Sequence, residues 1–254
     1  MLVFPNAKIN IGLYITGKRT DGYHDLETVF YPVDYKDVLE IIPAKNGQTT
    51  LHISGNPVAG NTENNLVWKA WNLLQRDYPD QVFPIAIYLY KNIPTGAGLG
   101  GGSADAAFML RLVNDYFQLG LDTEKLSAYA LQLGSDCPFF IRNKACFASG
   151  RGEILQPLSL DLSAYRIELL TPDIHCSTAL AYKQITPRPA AYPLRDIAAL
   201  PVEAWKHHIS NDFELPVFFQ YPELKKLKEQ LYEQGALYAS LSGSGSALFG
   251  IFES

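Results

Sequence analysis

The sequence predicts an α+β protein built from two units, and three observations carry that prediction. Residues 7–15 alternate apolar and polar side chains, the period of a half-buried strand. Strand-like runs are interleaved with segments of helical period, so neither type of element dominates. From about residue 164 the pattern restarts with a strand, a Pro-rich connector, helices and a closing strand–loop–strand. The two units meet near 155–165, which divides the chain into 1–158 and 159–254.

In the first strand Ala7, Ile9, Ile11, Leu13 and Ile15 share one face, and Lys8, Asn10, Gly12 and Tyr14 share the other. Gly17 to Gly22 is turn material, and Tyr23 to Phe30 reads as the returning strand. Further strands are expected near 38–42 and 50–54. A helix over Asn64–Arg76 follows from Leu66, Ala70, Leu73 and Leu74. A strand over 85–90 then runs into Pro94 and a glycine-rich stretch. The next helix, Ser103 to Phe117, turns Ala106, Met109, Leu110, Val113 and Phe117 inward. Another starts at Asp122 and stops before Gly134, with Leu126, Tyr129, Ala130 and Leu133 inward. The second unit opens with a strand at 166–172 and has a connector near 187–193. Its helix Pro222–Gln234 is stopped by Gly235, and two strands close the chain around a glycine–serine loop. Region 186–201 has no clear pattern and reads as a mobile flap.

Composition narrows the function classes. Hydrophobic residues make up 47% of the 254 and charged residues 19%, which excludes a disordered chain. The net charge of -5 argues against a nucleic-acid binder, which would carry a basic footprint. Cys137, Cys146 and Cys176 are odd in number and lack ligand-like spacing, so neither a disulfide framework nor a zinc site is expected. No basic region followed by an apolar stretch opens the chain, and no apolar run reaches the roughly 18 residues of a membrane helix. A cytoplasmic protein that is not membrane-bound is therefore expected.

Overall glycine content is ordinary, but five of the nineteen glycines fall in the seven positions 96–102. Glycine lets backbone N–H groups converge on an anion without side chains in the way. The helix that follows begins with unpaired N–H groups and a dipole favouring negative charge. A strand–glycine loop–helix segment therefore suits a phosphate chain, whereas three consecutive glycines would only weaken a plain connector. The segment lacks the Gly-Lys-Ser/Thr ending of a P-loop, so a lysine must come from elsewhere. Lys8 and Asn10 project together about 6.6 Å apart along their strand, as a polar ligand would require or as an exposed strand face would allow. Asp136 follows a helix end and suits either a cap or a group that accepts a hydroxyl proton.

Three motifs stand in order: Ala7-Lys8-Ile9-Asn10, Pro94 to Ser103, and Leu241-Ser242-Gly243-Ser244-Gly245-Ser246. With them the chain resembles the GHMP kinases, named for galactokinase, homoserine kinase, mevalonate kinase and phosphomevalonate kinase. Ala7–Phe30, Leu133–Phe140 and Asn211-Asp212-Phe213-Glu214 narrow the likeness to the branch acting on a cytidine diphosphate-linked methylerythritol. The resemblance implies an N-terminal ribosomal-protein-S5-like domain with a left-handed βαβ unit and a C-terminal ferredoxin-like domain. ATP and substrate would bind between them. It further implies ATP-dependent phosphorylation of the 2-hydroxyl of that substrate, in non-mevalonate isoprenoid precursor biosynthesis.

Carried over residue by residue, Pro94, Thr95, Gly96, Ala97, Gly98, Leu99, Gly100, Gly101, Gly102 and Ser103 would wrap the ATP phosphates. Asn65 and Leu66 fall at the adenine contact. Asp136 matches the catalytic aspartate, and Lys8 the lysine beside it. Tyr23 and His24 match the cytidine-recognising pair, Asn10 the sugar-alcohol contact, and Tyr182, four residues after Thr178, a second aromatic wall. The loop Ser242–Ser246 would help hold the phosphates, unless it is a plain β-turn. Mg²⁺ is implied as a cofactor with ATP, and Ser103 is a candidate ligand. No acidic metal ligand is assigned, since Glu124 matches only by distance to Asp136. His52, His175, His207 and His208 lack motif support. The expected partner is the small-molecule substrate alone, the expected assembly a monomer or weak homodimer. The competing readings are a GHMP kinase for homoserine, mevalonate or a sugar, and a catalytically silent nucleotide-binding regulator.

Overall fold

The computed structural model describes residues 1–58 and 60–254. Up to residue 117 the elements are β1 (Leu2–Val3), β2 (Asn6–Lys18), β3 (His24–Lys36), β4 (Val38–Pro43), β5 (Thr50–Gly55), α1 (Leu66–Asp77), β6 (Ile85–Lys91) and α2 (Gly101–Phe117). There follow α3 (Thr123–Leu133), α4 (Cys137–Arg142), β7 (Cys146–Ser149), β8 (Ile154–Pro157), β9 (Tyr165–Leu170) and α5 (Thr178–Lys183). The chain closes with α6 (Val202–His208), α7 (Glu214–Gln220), α8 (Pro222–Glu233), β10 (Tyr238–Leu241) and β11 (Leu248–Glu253). Packing divides the chain into two compact units, each assembled from separated segments. The first comprises Met1–Ala7, Asp34–Thr95 and Gly100–Asn143, and the second Lys8–Val33, Gly96–Leu99 and Lys144–Ser254.

The first unit is a four-stranded sheet in the order β1-β4-β6-β5 with α1 to α4. Strands β5 and β6 are parallel and joined through α1, a βαβ unit in an otherwise antiparallel sheet. In β6 the alternation is clear: Ile85, Ile87 and Leu89 are buried while Tyr88 and Tyr90 are exposed. Helix α1 buries Val67, Ala70, Trp71 and Leu74, and Asn65 caps it by accepting the Val67 N–H at 2.9 Å. Asp122 caps α3 in the same way, accepting from Lys125 at 2.8 Å. Helix α2 starts at Gly101, two residues before the expected Ser103. Not every predicted inward residue is fully buried. Tyr129 is half-buried, and its phenol O–H donates to Asp77 at 2.7 Å.

The second unit holds the sheet β2-β3-β7-β8 and an antiparallel three-stranded sheet in the order β10-β11-β9. Helix α8 packs on β10 and β11 through Leu224 and Leu231, and Phe213, Val217, Leu241 and Leu248 complete that core. Gly235 ends the helix at φ +96°, as its position after the last periodic leucine predicts. Region 186–201 is not the patternless flap expected. Leu194 and Ile197 are buried in a 3₁₀ turn, the Arg188 N–H bonds the Ile15 carbonyl at 3.0 Å, and the Arg188 guanidinium bonds Asp212 at 2.9 Å. Among the described residues no helix is long and apolar enough to cross a membrane.

Candidate active site

The glycine-rich loop is built on an alternation. Gly96, Gly98 and Gly100 hold φ of +77°, +80° and +71°, while Ala97 and Leu99 between them are buried as anchors. Gly100 is the residue before α2 in the left-handed region, with no side chain capping the helix. The first internal bond of α2 runs from the Ala104 N–H to the Gly100 carbonyl at 2.9 Å. The helix therefore begins with the N–H groups of Gly101, Gly102 and Ser103 outside its own ladder, as an anion site requires.

In the first unit the loop's exit is met by two further predicted residues. A Cβ on Gly102 would lie 3.9 Å from Leu66 Cδ1, so Leu66 stands beside the start of α2. Asn65 is next to it, engaged as the α1 cap. Asp136 precedes α4, is half-buried and makes no capping bond to that helix. Its neighbour Cys137 is pushed up to about 12, chiefly by burial, with the Ser103 hydroxyl opposing and the Asp136 charge adding to the shift. Ser103 and Asp136 are thus both close to the same thiol, which brings the starts of α2 and α4 together.

In the second unit Lys8 is only 4% exposed and Asn10 only 2%, so the exposed-face alternative for this strand does not hold. The Lys8 ammonium donates to Asn10 Oδ1 at 2.6 Å and to the Gly98 carbonyl at 3.0 Å, and it stands 4.9 Å over the Phe30 ring. Asn10 in turn donates to Thr28 Oγ1 at 3.0 Å, and Thr28 donates to the Gly12 carbonyl at 2.6 Å. This chain fixes the lysine against the glycine loop.

The second loop is indeed the turn of a hairpin, and it also backs the first loop. Ser242 Oγ donates to the Gly98 carbonyl at 2.9 Å, and the Ala247 N–H bonds the Ala97 carbonyl at 3.0 Å. Asn211 steadies it, donating to the Leu241 and Gly243 carbonyls at 2.9 and 2.8 Å. Elsewhere in the unit the His24 ring stacks on Tyr182 at 4.9 Å and 21°, and Tyr182 meets Phe213 edge-on at 4.8 Å. At that spacing His24 and Tyr182 form one wall, with no room for a base between them. Tyr23 is exposed and lies under Arg151 at 4.9 Å. Thr178 shares a 2.7 Å hydroxyl–hydroxyl bond with Ser244.

Sequence reasoning missed one buried cluster in the first unit. Lys91 pairs with both Asp37 and Asp105, the latter at 2.6 Å, and all three side chains are buried. Asp37 Oδ1 also accepts the N–H groups of Asn92 at 2.6 Å and Ile93 at 2.8 Å. The available signal was Asp105 itself, a charge set among Ala104, Ala106 and Ala107 on a buried helix. Burial raises the Asp105 carboxyl to about 7, with Lys91 opposing and Asp37 adding to the rise. An unfolded aspartate ionises near 3.8, so between about pH 4 and 7 the fold keeps a proton that the unfolded chain releases. Asp105's contribution to stability therefore falls as pH rises through that window and levels off above it. Asp105→Asn should flatten this part of the profile, which melting curves from pH 4.5 to 8 would show against the parent chain.

Comparisons with known proteins agree with this layout. Residues 65–144 match the model of the GHMP kinases N terminal domain, and residues 196–254 that of the GHMP kinases C terminal. A 4-diphosphocytidyl-2-C-methyl-D-erythritol kinase of Bacteroides fragilis is 52% identical over 254 residues, covering 99% of this chain and 92% of that protein. One from Chlorobium limicola is 43% identical, covering 97% of this chain and 86% of that protein. A crystal structure of 4-(cytidine 5'-diphospho)-2C-methyl-D-erythritol kinase superposes with a TM-score of 0.81 at 34% identity, covering 99% of this chain and 90% of the other. The Methanococcus jannaschii mevalonate kinase shares the fold alone, with a TM-score of 0.74 at 13% identity over 100% of this chain and 90% of that one.

Proposed function

The chain belongs to the GHMP kinase family, and from that premise we propose that it transfers the γ-phosphoryl group of ATP to the 2-hydroxyl of 4-diphosphocytidyl-2-C-methyl-D-erythritol. It is a small-molecule kinase. The observation that carries the acceptor is identity of 52% along nearly the whole chain with a kinase named for that substrate. The geometry supports the reaction type. Phosphoryl transfer asks little covalent chemistry of a protein and much positioning and charge stabilisation.

In this reading the loop Pro94–Ser103 receives the phosphates through backbone N–H groups, with Leu66 and Asn65 on the adenine side. Lys8, aimed by Asn10 and the Gly98 carbonyl, supplies positive charge where phosphoryl charge is handed over. Asp136 accepts or orients the proton of the acceptor hydroxyl. Tyr23 offers an aromatic face to the cytosine, the His24–Tyr182 wall bounds it, and the His24 imidazole bonds its edge. Asn10 and Thr178 complete the acceptor's polar contacts. Segment 1–158 carries the nucleotide contacts together with Asn10, Tyr23 and His24 for the substrate, and segment 159–254 adds Thr178 and Tyr182 on the substrate side. The enzyme works in the cytoplasm as a monomer or weak homodimer, on an isoprenoid precursor, with neither nucleic acid nor membrane as a partner.

Magnesium accompanies ATP in this reading. The Ser103 hydroxyl at the start of α2 is the right kind of oxygen donor. Such an ion would be held mostly by substrate phosphates and water. When bound, it would neutralise charge on the phosphate oxygens.

ADP release measured with the cytidyl alcohol, mevalonate, homoserine and galactose as acceptors tests the reading. Turnover with the cytidyl alcohol should exceed that with each of the others at least 100-fold. Turnover on mevalonate alone, or ATP binding without any transfer, would overturn it in favour of another family member or a silent binder.

A further inference from the structure

The ion cluster beneath the glycine loop joins the two ends of that loop. Lys91 is the last residue of β6, three residues before Pro94, and Asp105 is the fifth residue of α2. Their 2.6 Å pair therefore spans the whole segment that carries the phosphate-binding glycines. Between those ends the chain leaves the first unit at Thr95 and returns to it at Gly100. Asp37, between β3 and β4, fixes the entering strand twice over. It pairs with the Lys91 ammonium, and its other oxygen accepts the N–H groups of Asn92 and Ile93.

Two further details set this cluster apart from ordinary packing. A Cβ on Gly101 would fall 3.3 Å from the Lys91 ammonium and 2.8 Å from Ile93 Cγ2, so the first residue of α2 sits directly on the ion pair. Asp105 Oδ1 is buried with no hydrogen-bond partner. Two carboxyl groups also share one ammonium away from water, and buried ionic groups of this kind are rarely favoured by stability alone.

We infer that Lys91 is a positioning residue for the nucleotide: bridging Asp37 and Asp105, it clasps the stem of the glycine loop and holds the first N–H groups of α2 in place for the phosphates. The inference rests on the reading that this loop binds ATP. The clasp need not touch the nucleotide. It limits the conformations of the loop, so that binding does not have to order it.

The test uses the full chain, a non-hydrolysable ATP analogue with Mg²⁺, and two readouts: analogue affinity by titration calorimetry, and amide hydrogen exchange over residues 104–107, the first amides bonded within α2. Asp105→Leu removes the acceptor and should weaken the analogue at least 10-fold while speeding exchange at least 10-fold. Gly101→Ala, which pushes on the ammonium, should act in the same direction. Asp105→Asn keeps an oxygen for Lys91 and should stay within threefold of the parent on both readouts. A purely structural role would lower the melting temperature of Asp105→Leu yet leave the folded fraction with parental affinity and exchange, and that result overturns the inference. So does an Asp105→Asn variant as impaired as Asp105→Leu. If Asp105→Leu does not fold, Gly101→Ala and the parent decide. Parent amides at 104–107 exchanging as fast as those of the exposed turn at Asn46 would refute the clasp. A parent chain that binds no analogue refutes the ATP reading instead, and exchange alone then judges the clasp.

Discussion

Asp136→Ala is expected to lower the rate of phosphoryl transfer about 1,000-fold or more while ATP-analogue affinity stays within threefold of the parent. A positioned proton acceptor contributes roughly 10²–10⁴ to a rate, and here the same group also orients the attacking hydroxyl. One alternative role is that of a helix cap. A carboxylate placed just before a helix commonly caps it, yet Asp136 makes no capping bond to α4. It is half-buried rather than packed in the core. It lies beside Cys137, whose thiol faces Ser103 at the start of α2. Single-turnover ADP release, read with the melting temperature, separates the outcomes. Parental turnover in this variant would remove Asp136 from the mechanism, whereas a large fall in melting temperature would make it a structural residue.

How much of this was legible in the sequence depends on how local each signal is. The strand at residues 7–15, the helix start at Asp122 and the stop at Gly235 each depend on neighbours within a turn or two, and all were readable. The glycine loop was readable for the same reason, although a helix starting on glycine, without a side-chain cap, begins earlier than the serine suggested. Lys8 and Asn10 were correctly placed on one face, since a strand's period of two requires it. Their burial was not readable, because it depends on residues far along the chain, such as Thr28, Gly98 and Ser242. Helices α4 to α7 have six or seven residues each, too few to establish a period. The Asp37–Lys91–Asp105 cluster draws on three separate elements, and nothing in one dimension brings them together.

Gly98 makes the same point as a prediction, because two glycines with nearly the same backbone should behave very differently. Gly98 has φ +80° and Gly120 φ +68°, so alanine at either position carries a left-handed penalty of about 1 kcal/mol. Around Gly120 nothing lies within 4 Å of a new Cβ, and Gly120→Ala should cost about that much stability with turnover unchanged. At Gly98 the Cβ would lie 2.0 Å from the Ser242 carbonyl oxygen and 3.3 Å from the Gly245 nitrogen, which are backbone atoms that cannot swing aside. The two loops must then separate. The Gly98 carbonyl that holds both the Lys8 ammonium and the Ser242 hydroxyl moves with them. Gly98→Ala should therefore lower kcat/KM at least 100-fold, about 2.7 kcal/mol of transition-state stabilisation, and cost a further few kcal/mol of stability. Steady-state kinetics and melting curves on the two variants side by side give the answer. Equal behaviour would mean that backbone strain alone governs this loop; the predicted divergence would show that its conformation is set by contact with the second loop.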